Sequence, residues 1–232
     1  MVMAIRLVAT DIDGTITLHR GNLLLSQEAI EAIRKLEENG ITVSLVSGNS
    51  VPVTAGLARY IGARGPSIAE NGCVIFYKGE RYHICRGRPG LDLVGELLRL
   101  GFRESWQNIY RHHDLAFYPP ASIEAREKGI LLAREKGYKA FDSGYAIHIL
   151  PSQGGKDQGL RKVMEMLGLE PGEVLAVGDG GNDLPLLEEA GYSACPADAD
   201  EAVKRVANYI ASKPGGSGFA EIAELVLAGR IP

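Results

Sequence analysis

Two carboxylates at the end of a short apolar segment are the first residues of the chain whose type and spacing could do chemistry. Residues 5–10 are mostly apolar, and Asp11 and Asp13 follow them, continued by Gly14 and Thr15. The apolar segment is typical of a strand buried on both faces of a parallel sheet. Reactive groups of open α/β sheets collect beyond the carboxyl ends of such strands. The pair therefore indicates a chemical site, and a polar turn whose aspartates accept backbone hydrogen bonds is the alternative.

Other polar side chains stand where predicted strands end or the next helix begins: Ser47, Gly48, Asn49, Lys156, Asp179 and Asp183. A parallel sheet places all of them at one edge, together with the first two aspartates. Several carboxylates at one edge repel each other unless a cation lies between them. Because the set offers oxygen ligands without His or Cys, we expect a hard ion, Mg²⁺. A lysine and a hydroxyl beside that ion would complete a site for a phosphate dianion.

The order of predicted elements indicates an α/β fold. Strands and helices alternate through residue 70, which predicts a Rossmann-like, doubly wound parallel sheet, with a hairpin-like flap at residues 16–25. Antiparallel hairpins and two helices then predict an inserted α+β cap domain at residues 82–152. The alternation resumes afterwards, so residues 1–81 and 153–232 form the predicted core domain. A glycine-rich loop at residues 213–218 precedes the last predicted helix.

Composition excludes several classes of partner. The net charge of −4 gives no general attraction to nucleic acid or to anionic membranes. The N-terminal segment contains no long apolar stretch, so we expect neither a signal peptide nor a membrane span, and a cytoplasmic protein. Cys73, Cys85 and Cys195 have neither metal-ligand spacing nor a disulfide framework, and we expect them to be reduced, buried and inert.

Four short motifs, in this order along the chain, resemble those of the haloacid dehalogenase-like phosphohydrolases. They are Asp11-x-Asp13-Gly14-Thr15, Ser47 at a strand end, Lys156, and Gly178-Asp179-Gly180-Gly181-Asn182-Asp183. The insert lies between the second and third motifs, which resembles the cap of the Cof-type branch. Its modest size and the sequence Ser47-Gly48-Asn49 look most like the archaeal phosphoglycolate phosphatase group.

The resemblance implies a role for each of these residues. Asp11 would attack phosphorus and form an aspartyl-phosphate, and Asp13 would protonate the leaving alkoxide and later accept a proton from water. Mg²⁺ would bind the Asp11 carboxylate, the Asp13 carbonyl and Asp179, with Asp183 as a further ligand or directly behind them. Ser47 and Lys156 would hold the phosphoryl oxygens, assisted by backbone N–H groups of the loop that includes Gly48 and Asn49.

Simpler roles for four of these residues stay open on the sequence alone. Asp183 could charge the N-terminus of its helix, and Ser47 could be a helix N-cap. Lys156 could be a solvated residue at a helix start, because Asp157-Gln158 separate it from Gly159, whereas relatives usually have glycine directly after this lysine. Asn49 could be structural or could contact substrate.

The predicted cap contains a polar and aromatic cluster that could select the substrate: Trp106, Tyr110, His112, His113, Asp114 and Tyr118. Ordinary packing is the alternative. His148 alternates with two isoleucines, so it lies on the other strand face and can point to the core. The resulting prediction is a Mg²⁺-dependent phosphatase of a small phosphorylated metabolite, with phosphoglycolate preferred. It would be a monomer or homodimer, without a nucleic-acid or membrane partner. A phosphosugar phosphatase or phosphomutase of the same superfamily, or a non-catalytic phospho-receiver or binding module, are the alternatives.

Overall fold

The computed structural model describes residues 4–231, and residues 1–3 and 232 of the predicted core domain lie outside that range. Its strands are β1 (Leu7–Asp11), β2 (Thr42–Val46), β3 (Ser67–Ala69), β4 (Val74–Tyr77), β5 (Glu80–His83), β6 (Arg103–Glu104), β7 (Leu115–Tyr118), β8 (Tyr138–Asp142), β9 (Ile147–Pro151), β10 (Val174–Val177), β11 (Tyr192–Cys195) and β12 (Tyr209–Ile210). Its helices are α1 (Gln27–Glu38), α2 (Val51–Ile61), α3 (Leu91–Arg99), α4 (Ile123–Glu135), α5 (Lys156–Leu167), α6 (Leu184–Glu189), α7 (Glu201–Val206) and α8 (Gly215–Leu227).

The large sheet has the strand order β12-β11-β10-β1-β2-β3-β4-β5. Neighbouring strands from β12 to β3 pair in parallel, and β4 and β5 extend the edge as an antiparallel hairpin. Apolar side chains cover both faces, with Ile33 of α1 and Phe219 of α8 on one side and Leu160 of α5 and Leu186 of α6 on the other. Because β1 is central, all five of its residues are buried. The predicted α/β fold is confirmed.

A second, antiparallel sheet has the order β6-β7-β9-β8 and carries α3 and α4. Leu97, Phe102, Phe117 and Ile149 form its own apolar core. These elements lie within residues 82–152, which we call the cap segment. The limits of this segment remain a prediction. Its first residue, 82, falls within β5, which is a strand of the large sheet. Within residues 4–231 no helix combines the length and apolar content needed to cross a bilayer.

The prediction of three reduced cysteines is wrong for two of them. Cys73 and Cys85 form a disulfide with a Cα–Cα distance of 4.8 Å, while Cys195 is free and buried. The cause is the hairpin register, since Cys73 precedes β4 and Cys85 follows β5, and the backbone N–H of Cys85 donates to the Cys73 carbonyl. The sequence separation of 12 residues does not by itself indicate a disulfide, because the two cysteines come together only when β4 and β5 pair.

The predicted loop at residues 213–218 is also partly wrong, because α8 begins at Gly215. Its glycines allow close contact with α1 rather than disorder: a Cβ on Gly216 would lie 2.2 Å from the Cβ of Ser26. Ser26 is the N-cap of α1, as predicted, and its hydroxyl accepts from the Ala29 N–H. The predicted flap is present, with a bridge between Thr17 and Leu25.

Candidate active site

The carboxyl ends of three neighbouring strands form the edge where the candidate residues meet. β1 lies between β2 and β10, with Asp11 beside Val46 and Thr10 beside Val177. Ser47 is the first residue after β2, and Asp179 follows β10 by two residues. The parallel pairing therefore brings residues far apart in sequence to one place.

Three carboxylates form a buried cluster at this edge. Asp11, Asp179 and Asp183 each offer an oxygen, and these oxygens lie within 4.8 Å of one another. Asp183 Oδ2 also accepts the backbone N–H groups of Asp179 and Gly180, at 3.0 Å each, and so fixes the loop after β10. It makes no side-chain cap for α6, and the Gly180 N–H that it accepts caps the short 3₁₀ turn at residues 181–183.

Lys156 lies inside the cluster rather than in solvent. Its Nζ is 2.5 Å from Asp11 Oδ1 and 2.5 Å from Asp183 Oδ1, and the residue is 3% exposed. Gly159 allows α5 to come this close to the sheet, because a Cβ there would lie 2.5 Å from Ile68 Cγ2. Gly159, which stands three positions after Lys156 rather than directly after it, thus allows α5 to pack closely on the sheet.

The electrostatics of the cluster show an excess of negative charge. Burial, followed by the charge of Asp183, raises the pKa of Asp11 well above its ordinary value, although Lys156 opposes the shift. Burial and Asp183 raise the pKa of Asp179 to about 7. Burial alone would lower the pKa of Lys156, but Asp11 and Asp183 raise it above its ordinary value. Lys156 and Arg20, whose Nε lies 2.7 Å from Asp179 Oδ2, do not cancel these upward shifts, so a further cation would stabilise the ionised forms of the acids.

Asp13 and Ser47 are joined through Asn49. The Asn49 amide donates to Asp13 Oδ2 at 3.3 Å and to Ser47 Oγ at 3.0 Å, and its Oδ1 accepts from Gln107 Nε2 of the cap segment at 2.7 Å. Ser47 is not a helix N-cap, because Ser50 occupies that position for α2. Burial raises the pKa of Asp13, which favours a carboxyl group able to donate a proton.

A family model described as haloacid dehalogenase-like hydrolase matches residues 8–91 and 122–222 of this chain. The chain belongs to this family. A phosphoglycolate phosphatase from Aeropyrum pernix is similar, at 47% identity over 97% of this chain and 95% of its own length. One from Sulfolobus acidocaldarius is 37% identical over 98% of this chain and 99% of its own. A crystal structure of a Thermoplasma acidophilum protein has a TM-score of 0.89 and 31% identity, covering 97% of this chain and 99% of that one.

The acidic cluster of this haloacid dehalogenase-like hydrolase fits a hard divalent cation. Its donors are all carboxylate oxygens, and among residues 4–231 it is the single group of acids, histidines and cysteines with ligand atoms this close together. Burial first, and then the charge of Asp183, raise the pKa values of Asp11 and Asp179, and a bound cation would offset both effects. A divalent-metal site is therefore consistent with the residues present.

Arg20 is a residue of the site that the sequence analysis missed. Its Nε lies 2.7 Å from Asp179 Oδ2, and its guanidinium also contacts Asp200. The Thr15 hydroxyl donates to the other oxygen of Asp179 at 3.1 Å. Only the position of Arg20 in the flap directly after the first motif could have suggested it, since an isolated arginine carries no pattern.

A cavity of about 390 Å³ lies between the sheet edge and the cap segment. Of the polar and aromatic cluster predicted there, Trp106 and Tyr118 line this cavity, whereas Tyr110 and His112 line another. His113 contacts His83. Besides Trp106 and Tyr118, the residues of the cap segment that line the 390 Å³ cavity are Ser105, Gln107, Arg111, Ala116, Ser143, Tyr145, Ala146 and His148. Asp114 does not reach the cavity but lies fully buried behind it.

Proposed function

We propose that this hydrolase is a Mg²⁺-dependent phosphatase that converts a small phosphomonoester, preferably 2-phosphoglycolate, to the alcohol and inorganic phosphate. The observation that carries the proposal is the position of Asp11. Its carboxylate lies at a sheet edge beside two further acids and a buried lysine, and it lines a cavity together with Asp13. The names of the relatives from Aeropyrum pernix and Sulfolobus acidocaldarius support the choice of phosphoglycolate.

In the first step Asp11 acts as the nucleophile. One of its carboxylate oxygens forms a bond to phosphorus while the bond from phosphorus to the ester oxygen breaks. Asp13 gives its proton to that departing oxygen, and the raised pKa of Asp13 supports this role. The products of the step are the free alcohol, here glycolate, and a phosphorylated Asp11.

In the second step water attacks phosphorus and Asp13 acts as the base. Asp13 accepts a proton from the water, the new oxygen–phosphorus bond forms, and the bond to Asp11 breaks. Inorganic phosphate leaves and both aspartates return to their starting states. Asn49 positions Asp13 in both steps, because its amide contacts Asp13 Oδ2.

The other residues of the edge hold the phosphoryl group and its charge. Lys156 and Ser47 would bind its oxygens, with the backbone N–H groups near Gly48 and Asn49 assisting. Asp11, Asp179, Asp183 and the carbonyl of Asp13 would hold Mg²⁺, which supplies positive charge when bound and weakens repulsion between nucleophile and substrate. We assign residues 82–152 as the cap that excludes bulk water from the cavity.

The experiment uses p-nitrophenyl phosphate, whose leaving group departs without a proton. In an Asp13→Asn variant the first step then proceeds while the second lacks its base, so phosphorylated Asp11 accumulates. Mass spectrometry of the quenched protein should find a phosphoryl group on the peptide that contains Asp11. With 2-phosphoglycolate the same variant should lose both steps and remain unlabelled.

Three outcomes contradict parts of this mechanism. A label on any residue other than Asp11 removes the assigned nucleophile. Turnover retained by an Asp11→Asn variant does the same. Wild-type protein that releases no phosphate from 2-phosphoglycolate in the presence of Mg²⁺ contradicts the proposed substrate.

A further inference from the structure

A buried ionic cluster behind the cavity joins the cap segment to the sheet edge. Asp114 Oδ2 accepts from Asn71 Nδ2 at 2.8 Å, from Arg111 Nη1 at 2.9 Å and from His148 Nδ1 at 2.8 Å. Asp114, Arg111 and His148 are all buried, and none has a role in the steps described above. A buried set of charges outside the reacting groups requires an explanation, because desolvation makes it costly.

The cluster fixes the imidazole of His148 in one orientation. Burial opposes ionisation of Asp114, but His148 and Arg111 together lower its pKa below the ordinary value. An ionised carboxylate can only accept, so Nδ1 of His148 carries a proton. Phe141 stacks on the ring with centroids 5.8 Å apart, which fixes its plane.

The free side of this imidazole faces the reacting groups. His148 lines the cavity, and among the described residues its Nε2 has no hydrogen-bond partner. The ring lies directly against the loop after β2, because a Cβ on Gly48 would be 2.9 Å from His148 Cε1. His148 is also one of the charges that act on Asp13, after burial, Lys156 and Asn49.

The part of the cavity formed by the cap segment presents basic side chains, and Asp114, the carboxylate paired with Arg111, lies behind the lining rather than in it. Its lining contains Arg111 and His148 and no acidic side chain among the described residues. The acids of the lining, Asp11, Asp13 and Asp179, all belong to the sheet edge. A substrate whose departing group carries an anion would therefore place that anion toward the cap segment and its phosphoryl group toward the edge.

We propose that His148, positioned by Asp114, binds an anionic group of the departing alcohol as an imidazolium, flanked by two carboxylates: its Nδ1–H donates to Asp114 and its Nε2–H donates to the substrate anion. His148 would thereby select substrates with a carboxylate near the ester oxygen. The proposal rests on the phosphatase function above. Asp13 protonates the ester oxygen, and in a 2-phosphoglycolate molecule the carboxylate is one carbon away from that oxygen. His148 lies against Gly48 and lines the same cavity as Asp13, so both residues face one bound substrate. Asp114 is a positioning residue, because it acts through His148.

The test compares 2-phosphoglycolate with ethyl phosphate, which has the same two carbons but a methyl group in place of the carboxylate. The measured quantity is the ratio of kcat/KM for the two substrates. His148→Gln should lower this ratio about 10- to 100-fold, the range expected for losing a hydrogen bond between charged groups. The loss for 2-phosphoglycolate should appear mainly in KM. The control His83→Gln replaces a histidine outside the cavity and should preserve the ratio.

A binding measurement separates recognition from turnover. In an Asp11→Asn background with Mg²⁺, calorimetry should show that His148→Gln weakens binding of 2-phosphoglycolate relative to ethyl phosphate by a similar factor. An unchanged ratio in both assays overturns the proposal, including the case where both substrates lose activity together through damaged folding. If wild-type protein hydrolyses both substrates equally well, carboxylate selection is wrong and the phosphatase function stands. If it hydrolyses neither, the phosphatase function itself fails, and this inference fails with it.

Discussion

Replacing Lys156 by methionine tests whether the buried lysine holds the acidic cluster together. Lys156 is 3% exposed, and its Nζ contacts Asp11 and Asp183 at 2.5 Å each. Lys156→Met keeps most of the side-chain volume and removes the charge. The remaining carboxylates then face each other without this cation in a site from which water is largely excluded.

The expected loss follows from burial. Removing one partner of a buried ion pair costs about 3–5 kcal/mol of unfolding free energy. For a chain of 232 residues each kcal/mol corresponds to about 2–4 °C in Tm, which predicts a decrease of about 6–20 °C at pH 8 without metal. The decrease should be smaller at pH 5, because the raised pKa values of Asp11 and Asp179 favour protonation there.

Thermal denaturation of the EDTA-treated protein at both pH values measures this effect. The control is Lys162→Met in the same helix, since Lys162 is 35% exposed and contacts only the exposed Glu165. That pair should contribute less than about 1 kcal/mol. Equal Tm values for the two variants at pH 8 would show that Lys156 does not neutralise the cluster.

Three further predictions concern the acids, their pH dependence and the disulfide. Asp11→Asn should abolish phosphate release while leaving the circular dichroism spectrum unchanged. Because the folded pKa of Asp179, about 7, exceeds its ordinary value, the metal-free protein should lose up to about 4 kcal/mol as pH rises from 4 through 7. Mg²⁺ should restore much of the lost stability above pH 7. In an Asp179→Asn variant the decrease in stability with rising pH should be absent. Tm values measured across this pH range check both expectations. Cys85→Ser should cost about 3 kcal/mol in urea denaturation under oxidising conditions and little in a reductant.

Much of the fold could be predicted because local patterns agree with the tertiary structure. The predicted alternation of strands and helices through residue 70 is present in the structure as β1, α1, β2, α2 and β3. Asp11 and Asp179 converge because parallel strands place their carboxyl ends at one edge, and this rule needs no knowledge of side-chain packing.

The features that could not be predicted depend on contacts between distant segments. Arg20 reaches Asp179 only because the flap folds over the edge. Gly216 supports close contact of α8 with Ser26, whereas glycine in a sequence usually indicates a loop. Asp114 belongs to the predicted polar and aromatic cluster, but its hydrogen bond from Asn71, which lies between β3 and β4, joins segments that no local pattern connects.

The disulfide also changes where movement of the cap segment can begin. The chain passes between the two sheets near Ile84, after β5, and again near Gly154, after β9. The Ile84 N–H donates to the Cys73 carbonyl at 2.9 Å, and Cys85 is cross-linked to Cys73. Gly154 lies against the same disulfide, because a Cβ there would be 2.6 Å from Cys73 Sγ.

The first crossing is therefore cross-linked at Cys85 to the residue before β4, and the second packs against the same disulfide. A hinge on the first crossing has to lie after Cys85, in residues 86–90, which precede α3. The Glu70 carboxylate accepts hydrogen bonds of 2.8–3.2 Å from the backbone N–H groups of His112, His113 and Asp114. Opening of the cap segment would break these hydrogen bonds. Hydrogen bonds to a buried charge contribute about 1.5–3 kcal/mol each. The Glu70 contacts thus favour the closed arrangement, in which His148 lies against the loop after β2.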